Sequence, residues 1–103
     1  MSYAKFKEVE SELVNEIKEI VSIDRLNTAR GSDENAHKRF FLMHYLRENS
    51  TLTFQEIGSI FKKHHSTIIH GIKKHEDNTQ YGDKLYLRNT MKLKEYLETF
   101  KTK

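Results

Sequence analysis

Proline is absent from all 103 residues, and glycine occurs only at positions 31, 58, 71 and 82. A chain with so few backbone breakers, and with apolar residues at three- and four-residue steps, is expected to fold as α-helices. The length suits one domain with one modest core over residues 1–103. The expected class is therefore all-α, a compact multi-helix domain. No apolar run approaches the roughly 20 residues needed to cross a bilayer, and no signal-peptide segment follows Met1. A cytoplasmic protein without membrane contact is the default. Cysteine is absent, which excludes disulfides and zinc-thiolate sites.

Tyr3, Phe6, Val9, Leu13, Ile17 and Ile20 place one apolar face on an N-terminal amphipathic helix over about 3–20. Val21, Ile23 and Leu26 suggest a short further helical turn, and 27–34 a loop. Asn35 is a candidate N-cap for a helix running to about Asn49. Apolar residues surround that helix except along His37, His44 and Glu48, as expected of a central helix packed on several sides. Thr53 and Glu56 have capping-box spacing ahead of Ile57, Ile60 and Phe61. Gly58, on the same helix, would let another helix approach closely. After the short run Lys62-Lys63-His64, a second helix from His65 to His75 sets Ile68, Ile69 and Ile72 inward. Residues 77–83 have loop composition, and a last amphipathic helix covers about 84–101, with Leu85, Tyr86, Met91, Leu93, Leu97 and Phe100.

Residues 53–75 thus form a helix-turn-helix, and the charge gathers on it. Residues 37–75 carry seven lysines and arginines against two glutamates, whereas residues 1–22 carry three lysines against five glutamates. A helix start bearing His65, Ser66 and Thr67 offers short donors and acceptors, a threonine methyl and free N–H groups to a major groove. Lys62, Lys63, Lys73 and Lys74 suit phosphates. Ser66 and Thr67 could equally serve only as helix caps. His65 falls on the azimuth of Ile68 and could pack inward, while His70 points outward. The partner expected from this layout is double-stranded DNA.

At these residues the chain resembles the C-terminal DNA-binding domain of DnaA, the bacterial chromosomal replication initiator, with its Trp-repressor-like helix-turn-helix. The resemblance rests on Arg39 with FFLMHYLRE, then TFQEIGSIF, then HHSTIIH, with VSIDRLNTAR upstream. It covers roughly residues 13–100. It implies base contacts by His65, Ser66 and Thr67, and by His64, which stands where the family has an aspartate. It implies backbone contacts by Arg39 and Arg47, and it places Arg30 in the loop that sends an arginine into the minor groove. An ungapped match puts Gly31 at that arginine's position. The turn is one residue shorter than the family's Gly-Gly-Arg-Asp. His64 replaces an acceptor-only carboxylate with a ring able to donate, so the DNA sequence read is expected to differ from the family's.

No G-x-x-x-x-G-K-[ST] loop is present, so the initiator's ATPase is not expected. Without a visible tag or linker, a free-standing module is favoured over an excised domain. The histidines at 37, 44, 64, 65, 70 and 75 include no i, i+4 or i, i+3 pair, and no carboxylate near His65-Ser66 completes a triad. No enzyme, metal or cofactor is expected. The expected role is sequence-selective duplex binding in replication or transcription control, in the cytoplasm at the nucleoid. The alternative is a helical protein-interaction module, its terminal amphipathic helices meeting a partner or a second copy.

Overall fold

The computed structural model describes residues 3–27 and 33–101, with side chains described from Glu10 to Phe100 outside the gap. Among these residues the chain is all-α. Five helices follow in order: α1 (Tyr3–Ile23), α2 (Asp33–Asn49), α3 (Phe54–Phe61), α4 (His65–Gln80) and α5 (Lys84–Lys101). Helix α2 packs against each of the other four. Its Phe41, Leu42, Met43 and Leu46 are buried, as its nearly all-round apolar surface requires. Leu13, Val14, Ile17 and Val21 of α1 close the core on one side, and Ile57, Phe61, Ile68, Tyr86 and Leu97 close it on the others. Glu10 and Glu16 of α1 accept hydrogen bonds from Thr51 and from Tyr96 of α5 respectively.

Three helices end in the same way. After α1, Leu26 N–H reaches Val21 C=O (2.9 Å) and Arg25 N–H reaches Ser22 C=O (3.3 Å). After α3, Lys63 N–H reaches Gly58 C=O (2.9 Å) and Lys62 N–H reaches Ser59 C=O (3.4 Å). After α4, Asp83 N–H reaches Asn78 C=O (2.9 Å) and Gly82 N–H reaches Thr79 C=O (3.2 Å). This is the Schellman arrangement, with one residue in the left-handed region. Only α4 places glycine there, at φ 65°; α1 uses Arg25 at φ 55° and α3 uses Lys62 at φ 54°.

These endings revise several boundaries. The separate helical turn expected at Val21–Leu26 is the last turn and Schellman ending of α1, with Leu26 buried and Ile23 left 71% exposed. Asn35 lies inside α2 and does not cap it. The loop expected from residue 77 begins only after Gln80. Nothing before Gly82 forces a break, and the Thr79 hydroxyl donates to the His75 carbonyl. Asp83 then caps α5, its Oδ1 accepting from Tyr86 N–H at 2.9 Å. The Thr53–Glu56 capping box forms in both directions, at 3.1 and 3.0 Å. On α5, Leu85 and Met91 face outward, 45% and 51% exposed, leaving Tyr86 and Leu97 to anchor the helix.

Glycine serves close approach twice. A Cβ at Gly58 would lie 2.5 Å from the Lys63 carbonyl oxygen. The close neighbour is therefore the folded-back turn rather than another helix, although Ile68 of α4 also comes near. The helix–helix approach belongs to Gly71, where a Cβ would collide with Met43 Sδ and press on Phe40 of α2. Behind α4 runs an aromatic seam. His75 is buried, its Nδ1 sharing a 2.6 Å hydrogen bond with the fully buried Tyr86 hydroxyl. The His44 ring stacks on His75 at 4.1 Å. Burial, with His44 adding to it, pushes the His75 imidazole down to about 4. His37 meets Tyr86 edge-on and Asn89 by a hydrogen bond. Three of the six histidines are thus packing groups.

Candidate nucleic-acid interface

The turn between α3 and α4 follows from its backbone bonds. Lys62 in the left-handed region reverses the chain, Gly58 clears the space for it, and His64 returns to extended backbone at φ −67°, ψ 151°. His64 is the N-cap of α4: its Nδ1 accepts from Ser66 N–H at 3.2 Å and lies 2.9 Å from the Ser66 hydroxyl. The capping expected of Ser66 or Thr67 thus falls to a histidine. The Thr67 side chain makes no hydrogen bond among the described residues, and its N–H is taken by the His64 carbonyl at 3.0 Å. Because Nδ1 accepts, the neutral His64 ring carries its proton on Nε2.

An open groove runs along this turn, lined by Gln55, Ser59, Lys62, Lys63, His64 and His65. The sequence-predicted residues of the turn are therefore brought together. Gln55 and Ser59 of α3 join them and were not expected from the sequence. Both are exposed and lie four residues apart on one face of α3, a spacing that does not by itself mark them as part of a site. Lys62 and His64 are exposed; Lys63 and His65 are half-buried. The His65 ring lies 4.1 Å from that of His64, tilted by 38°.

On α4, Ser66, Thr67, His70, Lys73 and Lys74 are exposed. Ile68 is fully buried, but Ile69, expected beside it in the core, is 46% exposed. A 100° step from Ile68 carries Ile69 toward the solvent edge, and Gly71 and Ile72 fill the inner face instead. The dipole at the start of α4 and the lysines around it make this end electropositive.

The arginines lie elsewhere on the scaffold. Arg47, in the last turn of α2, holds its guanidinium 4.4 Å above the Phe54 ring and donates from Nη1 to the Leu52 carbonyl at 3.3 Å. It is exposed and ties the end of α2 to the start of α3. Arg39 is half-buried, and its Nη1 is enclosed without a hydrogen-bond partner among the described residues. Burial draws its guanidinium below the usual arginine range. Arg30 and Gly31 lie outside the described residues. Among the described residues no group of three or more His, Cys, Asp or Glu side chains could hold a metal, and no helix is long and apolar enough to cross a membrane.

No curated protein and no solved structure matches this chain. The family model described as the bacterial dnaA protein helix-turn-helix does, over residues 14–74, a span running from within α1 through α2, α3 and most of α4. On that match the chain belongs to the DnaA C-terminal helix-turn-helix family, whose members are DNA-binding rather than catalytic modules.

Proposed function

We propose that the five helices act as one sequence-selective double-stranded DNA-binding unit, with the start of α4 in the major groove. The observation that carries this reading is the α3–α4 turn. Its groove collects Lys62, Lys63, His64 and His65 beside an exposed helix start bearing Ser66 and Thr67. Lys62, Lys63, Lys73 and Lys74 bind phosphates and set affinity; His64, His65, Ser66 and Thr67 meet base edges and set sequence. Arg47, Arg39 and Arg30 add backbone contacts.

The cap sharpens what His64 reads. With Nδ1 engaged by Ser66, the neutral ring offers only the Nε2–H donor. A donor meets guanine N7 or O6, adenine N7 or thymine O4, whereas a carboxylate at this place meets the cytosine amino group. The site preferred by this chain therefore differs from the family's at the base facing His64. The working location is the cytoplasm at the nucleoid, in replication or transcription control.

Two classes of substitution test the reading. Neutralising Lys62 and Lys63 together weakens binding to every duplex and lowers the magnitude of the log-salt slope by about 1–2. Ser66→Ala and Thr67→Ala instead flatten preference among sequences, by about 1–3 kcal/mol where a base contact is lost. Wild-type behaviour from both classes would remove α4 from the groove.

A further inference from the structure

We infer that Ile69 is a specificity residue whose side chain packs against the 5-methyl group of a thymine; the inference rests on α4 binding the major groove as proposed above. Ile69 is the only large apolar residue among the exposed positions of α4, at 46% exposure between the fully buried Ile68 and the half-buried Ile72. The core does not need it. Ser66 lies three residues before it and Lys73 four after, so the three share one stripe of the outward face. Thr67, His70 and Lys74 form the parallel stripe. An aliphatic side chain is thus set between a hydroxyl and a cation, on the surface that carries the candidate base and phosphate contacts.

The major-groove edges of the bases present one apolar group, the thymine C5-methyl. An isoleucine at this depth gains by covering that methyl and gains nothing from the donors and acceptors of guanine, cytosine or adenine. The lysines on either side favour the phosphate-flanked floor of a groove over an apolar protein surface. Ile69 therefore selects an A·T pair in one orientation, next to the bases reached by Ser66 and Thr67.

The test begins with selection from random duplexes by the wild-type chain, Ile69→Asn and Ile69→Val. Each thymine of the wild-type site is then replaced singly by deoxyuridine, which removes only the methyl. At one position the wild-type chain should lose about fourfold in affinity, the worth of one buried methyl group. With Ile69→Asn that loss should vanish and the thymine preference there should collapse; Ile69→Val should keep both in reduced form. If Ile69→Asn selects the same site and shows the same deoxyuridine losses at every position, the inference is overturned while α4 remains the reading helix. If the wild-type chain binds no duplex at low salt, the proposed function fails first and this inference falls with it.

Discussion

Lys62 offers a substitution that should separate stability from function. Its backbone sits at φ 54°, ψ 44°, a conformation costing a non-glycine residue about 1–2 kcal/mol. Lys62→Gly removes that strain. It also loosens the unfolded chain, which returns about 0.4–1 kcal/mol. The net expectation is a gain of about 0.5–1 kcal/mol, or a Tm increase of roughly 2–8 °C for a domain of this size. Lys62→Ala keeps the strain and should match or fall below wild type. Neither variant can contact phosphate, so both should lose affinity for duplex DNA and lower the salt slope by about 0.9. Urea denaturation with unchanged m-value measures the first effect, and fluorescence anisotropy across a salt series measures the second. If Lys62→Gly is no more stable than Lys62→Ala, the left-handed turn is not a strained position and the reasoning fails.

The remaining expectations concern the scaffold. Gly58→Ala should destabilise by about 1–3 kcal/mol, because its Cβ meets the Lys63 carbonyl oxygen at 2.5 Å and backbone must move. Gly71→Ala should cost less, since the flexible end of Met43 can give way; urea midpoints that reverse this order would contradict the assignment. Thr53→Ala should cost about 1 kcal/mol through loss of the capping box, read in the same assay.

His75 makes stability acid-sensitive. Its imidazole is held down to about 4 in the folded chain, against 6.5 for an ordinary histidine. The unfolded chain therefore binds the extra proton between those values. Stability is full above about pH 6.5, falls as pH drops toward 4, and should be lower by about 2 kcal/mol at pH 5 than at pH 7.5. His75→Gln should remove most of that slope in denaturation at the two pH values. A slope unchanged by the substitution would place the acid sensitivity elsewhere.

Local chemistry made some of this architecture legible. The Thr53–Glu56 box is complete within four residues, so its spacing alone announces the start of α3. The central place of α2 follows from apolar residues around most of its circumference, all but the strip of His37, His44 and Glu48. Left-handed lysine and arginine at helix ends carry no such signal: Lys62 and Arg25 adopt that conformation because buried neighbours and returning N–H bonds dictate it. The same holds for His64, whose role as a cap depends on the χ angles of one side chain. The sequence pattern places Ile69 in the core because isoleucines at adjacent positions look equivalent in helical periodicity. Only the position of α4 against α2, set by Gly71, shows that the inner face is already full. Likewise Gln55 and Ser59 join the site only once the turn folds Lys62–His65 back beside α3.

Duplex DNA binding by the α3–α4 turn and the start of α4 is the proposal on which the rest depends. Its most direct measurement is the affinity of the wild-type chain and of Lys62→Ala/Lys63→Ala for a random-sequence duplex across a series of salt concentrations. Wild-type binding should weaken linearly in log–log form as salt rises, with a slope smaller in magnitude by about 1–2 in the double variant. Binding without salt dependence, an unchanged slope, or no binding at low salt would contradict it.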